Sequence, residues 1–108
     1  MDKAQLIQRM EAGEFIENNG QVLRTINILK EKYVKLSTVR YALTDICEGD
    51  IVKSINFLEE ECYINVRNIE TREKASISDF RLDDLEAKLS GKGIRLLCCD
   101  IKDAAIKV

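Results

Sequence analysis

The chain has 108 residues, 45% of them hydrophobic, 33% charged and 6% aromatic, with 17 basic residues against 19 acidic ones and neither proline nor histidine. That length holds one hydrophobic core and not two, the composition excludes general disorder, and the near-balance of charge predicts no strong bulk attraction to nucleic acid while leaving room for a localised basic patch. No segment is basic: residues 1–20 carry two bases and four acids, residues 21–74 nine and nine, and residues 75–108 six and six.

No apolar run approaches the roughly 20 residues that cross a bilayer, and Met1-Asp2-Lys3-Ala4-Gln5 lacks the apolar stretch of a secretory leader. A cytoplasmic protein without membrane contact is expected. Thiols stay reduced there, so Cys47, Cys62, Cys98 and Cys99 are read as small core residues before they are read as disulfide partners.

Asp2 is placed to cap an opening helix from Lys3 to about Glu14, whose thin apolar stripe of Leu6, Ile7 and Met10 is interrupted by Gly13. Asn18-Asn19-Gly20 is a turn signal. Beyond it Val22, Ile26, Leu29 and Tyr33 recur at i, i+4, i+7 and i+11, one face of a helix from about Gln21 to Lys32. Lys30 and Lys32 suit the negative end of its dipole. Val34-Lys35-Leu36 fits a minimal strand. Ser37 or Thr38 is expected to cap a second helix, with Val39, Leu43 and Ile46 on one face before Gly49 ends it. Asp50 then caps a third, whose inward stripe is Ile51, Ile55, Leu58 and Cys62.

The period then changes. Ile64 and Val66 alternate with Asn65 and Arg67, and Leu85, Ala87 and Leu89 alternate with Glu86, Lys88 and Ser90, which predicts two strands. The polar stretch Thr71 to Asp84 between them is too long for a tight hairpin and has room for a short helical turn capped by Ser78. Ser90-Gly91 opens a last helix through Ile94, Leu96, Leu97 and Cys98, and the tail Lys102 to Val108 is expected to fray.

Three helices, a two-stranded ribbon and a further helix give an α+β, mainly helical chain whose order resembles a winged helix-turn-helix domain. Asp50 to Ile64 resembles a recognition helix running into the first wing strand. In that family the junction reads Leu-Glu-x-x-Gly-hydrophobic, and here Cys62 or Tyr63 stands where glycine is usual. Leu89-Ser90-Gly91-Lys92-Gly93 is similar to the Leu-Thr-x-Lys-Gly stretch that leaves the wing in bacterial regulators of the MarR and ArsR kind, and to small prophage-borne proteins labelled ArsR-like. The resemblance covers about residues 21–99 and implies one winged-helix domain over 1–108. Its parts are an N-terminal helical extension (1–20), a three-helix core (21–62), a wing (63–90), and a C-terminal helix and tail (91–108).

The resemblance implies a DNA-binding transcriptional regulator of prophage type, a homodimer through its terminal helices that inserts the third helix into a groove of duplex DNA. Opposite that helix's apolar stripe lie Lys53, placed for a phosphate or guanine, Asn56, placed for adenine, and Phe57 and Glu60. Arg67, Arg72, Lys74 and Arg81 on the wing, Arg40 on the second helix and Lys35 before it are candidates for backbone contact. Two plainer readings stand beside these: a solvated helix face with Phe57 packed on the N-terminal helix or a partner, and a charge-balanced loop in which Glu70, Glu73, Asp79, Asp83 and Asp84 offset the wing cations. The rival function is a protein-interaction module without DNA binding, using Phe57 and Glu60.

Catalysis, metal and cofactor are not expected. Without histidine the usual general base is absent, Glu59, Glu60 and Glu61 splay around a helix, and adjacent Cys98 and Cys99 point about 100° apart. Gly91-Lys92-Gly93 is too short for a phosphate loop.

Overall fold

The computed structural model describes residues 2–29 and 32–108. The chain is α+β and mainly helical, as expected, and its small antiparallel sheet has three strands where a two-stranded ribbon was expected. Among the described residues no helix is long and apolar enough to cross a membrane.

The first helix differs most from expectation. The Asp2 carboxylate accepts the Gln5 N–H at 2.8 Å, and α1 then runs unbroken over Lys3–Ile28. The turn signal Asn18-Asn19-Gly20 therefore lies inside a helix. Its small and polar residues serve a contact from far along the chain. Asn19 donates from Nδ2 to the Ala105 carbonyl, and a Cβ built on Gly20 would stand 1.8 Å from the Lys107 carbonyl oxygen. The C-terminal tail, expected to fray, is thus seated on α1: the Lys107 N–H reaches the Ile16 carbonyl, Arg24 donates to the Lys107 carbonyl, and Ile106 is buried. Burying that isoleucine stabilises the tail by about 1.5–3 kcal/mol, enough to override a local turn preference. At the other end of the helix Leu29 is the C-cap, so Tyr33 and Lys32 stand outside it and Lys30 lies outside the described residues.

Val34–Lys35 forms β1, as anticipated, and α2 follows directly over Leu36–Ala42. Leu43 leaves the helix at φ −104°, and α3 spans Glu48–Glu60 behind Cys47. Gly49 therefore sits in the first turn of α3 rather than ending α2, and Asp50 joins Glu48 at the positive end of the α3 dipole instead of capping the helix. The buried stripe of α3 is Ile51, Ser54, Ile55 and Leu58.

Cys62 does not continue that stripe. It takes φ 64°, its N–H bonds the Glu59 carbonyl, and the Tyr63 N–H bonds the Leu58 carbonyl. These paired bonds form a left-handed helix exit of the Schellman type with cysteine in the place of glycine, and buried Tyr63 and Leu58 supply its apolar contact. Cys99 does the same after α4 (Gly91–Leu97), with φ 61° and bonds from Cys99 to Leu96 and from Asp100 to Arg95. Cys47, Cys62, Cys98 and Cys99 are all exposed at helix ends, which corrects their reading as core residues.

The strands β2 (Ile64–Asn68) and β3 (Leu85–Leu89) fall where the alternation placed them. The sheet order is β1-β3-β2, all antiparallel, so Val34, Ala87 and Val66 form one rung. All three are buried and pack inward on the helices. Between β2 and β3 the expected Ser78-capped turn is replaced by a 3₁₀ turn at Leu82–Asp84. Upstream of it Lys74 bridges Arg67 on the free edge of β2, while buried Ile77 and the Ser76 hydroxyl tie the segment back to the Glu59 carboxylate.

The Leu89-Ser90-Gly91-Lys92-Gly93 motif locks these parts together. Ser90 caps α4 by accepting the Gly93 N–H and donates its hydroxyl to the Cys62 carbonyl at 2.6 Å. Lys92 donates to the Glu61 carbonyl, and a Cβ on Gly93 would fall 2.3 Å from the Tyr63 carbonyl oxygen. The motif's glycine permits close backbone approach at the α3 to β2 junction.

A candidate nucleic-acid interface

Because side chains alternate across a strand, the rungs on either side of Val34, Ala87 and Val66 face away from the core. One reads Lys35, Glu86 and Arg67 across the sheet, and the Arg67 to Lys74 bridge extends it to Lys74. The other pairs Lys88 with Asn65. Tyr33, just before β1, lies on the same face: the Arg67 guanidinium sits 3.5 Å from its ring centre and the Lys88 ammonium 5.2 Å from it. Arg67 is half-buried and ion-paired with Glu86, so it organises the face while Lys35 and Lys74 stand exposed and Lys88 half-exposed. Cation–π contact of this kind contributes roughly 0.5–2 kcal/mol.

This face continues into a groove of about 670 Å³ between the sheet and the second half of α3. Arg67, Arg72, Lys74, Asn56, Asn65 and Tyr33 line it, with Ser76, Ser78, Glu59 and Glu60 on the remaining wall. The Glu59 carboxylate is taken up by the Ser76 hydroxyl and the Ile77 N–H, and Asn56 leans toward Glu60 at 3.5 Å. The structure therefore brings together Lys35, Arg67, Arg72, Lys74 and Asn56 of the residues singled out from sequence.

It does not bring Lys53 or Arg40 to them. Lys53 is exposed on α3, but beside a separate groove of about 580 Å³ whose wall is the first half of α1, with Glu11, Glu14 and Asp50 around it. Arg40 is held by Glu48 at 2.8 Å and Asp83 at 3.0 Å. The Glu48 hydrogen bond, aided by the Asp83 charge, raises its already high pKa against a desolvation that works the other way. Arg40 thus ties α2 to the start of α3 and to the 3₁₀ turn. Phe57 is half-buried with its ring edge-on to Phe15 of α1 at 5.3 Å, so it packs on the N-terminal helix as the plainer reading has it, while Glu60 is exposed. Outside Lys53 the charges of α3 are Glu48, Asp50, Glu59 and Glu60, so a phosphate backbone approaching this helix broadside meets repulsion.

Two members of the cationic face were missed from sequence: Tyr33, assigned to a helix, and Lys88, read only as the polar half of a strand. The signal was present in the alternation of both strands, since antiparallel pairing places every outward residue of Leu85–Leu89 beside an outward residue of Ile64–Asn68. Among the described residues no group of acids and cysteines is arranged to hold a metal ion. Comparison with protein-family models, with curated proteins and with solved structures found no match.

Proposed function

We propose that the chain is a winged helix-turn-helix module that binds duplex DNA as a regulator of transcription, contacting phosphates through the outer face of its sheet and the adjoining loop rather than by inserting α3. The fold reading is supported by the order of three helices and an antiparallel ribbon, with β3 returning between β1 and β2. The observation that carries the function is the rung Lys35, Glu86, Arg67, Lys74 with Lys88 beside it, in which cations outnumber the lone acid and two of them, Arg67 and Lys88, stand against the Tyr33 ring. A surface of this kind suits a polyanion, and its few free cations make the contact salt-sensitive.

Fluorescence anisotropy on a labelled duplex at low salt tests the reading. Binding is expected to weaken with salt at a slope of roughly −3, and each of Lys35→Ala, Lys74→Ala and Lys88→Ala should reduce that slope by about 1. Lys53→Ala and Arg40→Ala should leave it unchanged. Absence of binding at low salt removes the proposal.

A docking role toward a protein is the second reading. It is favoured by the acidic surface of α3, where Glu48 and Glu60 are exposed. Partners captured from lysate that persist after nuclease digestion would support it.

A further inference from the structure

The loop after β2 sorts its charges in space. Arg72 and Lys74 line the groove between the sheet and the second half of α3, with Arg67 beside them, whereas Glu70 and Glu73 of the same loop do not. Along the chain these acids offset the bases, but in the fold the bases line the groove without them. Among the described residues neither Arg72 nor Lys74 has an ion-pair partner. The loop backbone is already ordered. The Asn68 side-chain oxygen accepts the Glu70 and Thr71 N–H groups, the Arg72 N–H bonds the Asn68 carbonyl, and the Ala75 N–H bonds the Val66 carbonyl. An anion arriving at these cations therefore does not bear the cost of ordering the loop.

The rest of the lining is of a different kind. Asn56 enters the groove from the helix and Asn65 from the sheet, and the exposed Glu60 carboxylate stands on the helix side. Asn56 meets Glu60 only at 3.5 Å, the far limit of a hydrogen bond, so its amide is not committed there. A carboxamide offers a donor and an acceptor side by side, the pattern that pairs with the amine-bearing edge of adenine, and a carboxylate accepts from sugar hydroxyls. The groove volume of about 670 Å³ falls within the roughly 300–1,000 Å³ of small-ligand sites.

We infer that this groove is a binding site for a nucleoside phosphate, with the phosphates on Arg72 and Lys74 and the nucleoside against Asn56, Asn65 and Glu60. A bare phosphate uses the cationic wall alone, whereas a nucleotide uses both walls. The site shares Arg67, Arg72 and Lys74 with the proposed DNA face, so nucleotide and duplex exclude one another, but it does not depend on the DNA reading.

Calorimetric titration of adenosine diphosphate into the protein, at low salt and without DNA or divalent metal, tests it. Pyrophosphate serves as the anion that lacks the nucleoside. Saturable one-to-one binding of the nucleotide is expected, about tenfold tighter than pyrophosphate. Arg72→Ala and Lys74→Ala should each weaken both ligands about tenfold. Asn56→Ala and Asn65→Ala should each weaken the nucleotide about fivefold and leave pyrophosphate unchanged. Lys53→Ala, at the separate groove against α1, should alter neither. Circular dichroism keeps the comparison among equally folded chains. Absence of saturable nucleotide binding overturns the inference and leaves the DNA reading standing, while a chain that binds nucleotide but no duplex removes only the DNA reading. Pyrophosphate bound as tightly as the nucleotide also overturns the inference, because the groove is then a patch of positive charge and no more.

Discussion

The Lys107 carbonyl oxygen occupies the position a Gly20 side chain would take, 1.8 Å from where its Cβ would stand. Because the obstacle is backbone, no rotamer change relieves it. Gly20→Ala should release the C-terminal tail, exposing Ile106 and separating Asn19 from Ala105. After allowing for the better helix propensity of alanine, the net loss should be about 1–2 kcal/mol. Gly13→Ala, where a Cβ meets nothing within 4 Å, should instead stabilise by roughly 0.5–1 kcal/mol. Urea denaturation measures both, and limited proteolysis of the Gly20 variant should cut between α4 and the C-terminus.

The tail is anchored a second time by the Tyr63 hydroxyl, which donates to Asp103. Burial, then the hydrogen bond to Asp103 and its charge, pushes the Tyr63 phenol up from 10.0 to about 12. The same bond, with the Ala105 N–H and the Lys92 charge, holds the Asp103 carboxyl below its ordinary 3.8 against desolvation. A raised phenol stabilises the fold fully below pH 10, and this contribution is lost as pH climbs from 10 through about 12. A lowered carboxyl stabilises above its unfolded value, and its contribution is lost as pH falls through the folded one. Tyr63→Phe should cost about 1–2 kcal/mol at neutral pH, remove the alkaline limb, and shrink the acid limb without abolishing it, because Ala105 still donates to Asp103. Denaturation midpoints between pH 3 and pH 12 give the profile.

Cys62 and Cys99 hold left-handed conformations in which an L side chain is disfavoured. Cys62→Gly and Cys99→Gly should each stabilise by about 0.5–1 kcal/mol, and Cys62→Val should destabilise by more than that. Both exposed thiols should react with a thiol reagent in the folded protein at rates close to those of the unfolded chain.

Where structure is set by local pattern, the sequence was sufficient. Ile64 and Val66 point inward and Asn65 and Arg67 outward, as period two requires, and the Ser90 cap and the Ile51, Ile55 and Leu58 members of the α3 stripe follow from spacing, whereas Ser54 joins that stripe and Cys62 leaves it. What escaped was decided across long separations. Asn18-Asn19-Gly20 has the composition of a turn, and only the arrival of residues 105–107 turns its lack of bulk into a docking notch. The cysteines have the character of core residues, yet their places were fixed by helix termini. In the candidate site Lys35, Arg67, Arg72 and Lys74 could be named beforehand, but their proximity depends on β3 running between β1 and β2, which also brings in Lys88 and Tyr33. Lys53 lies apart from these residues because the unbroken α1 forms, with Asp50 and Lys53, a separate groove that Glu11 and Glu14 also line.

The location of the DNA-contacting surface is best read by titrating a short duplex into isotope-labelled protein at low salt and following backbone amide shifts residue by residue. The sheet-face account predicts changes concentrated at Tyr33 to Lys35, Asn65 to Arg67, Arg72 to Lys74 and Glu86 to Lys88. Changes centred on Asp50 to Phe57, with the strands silent, would contradict it.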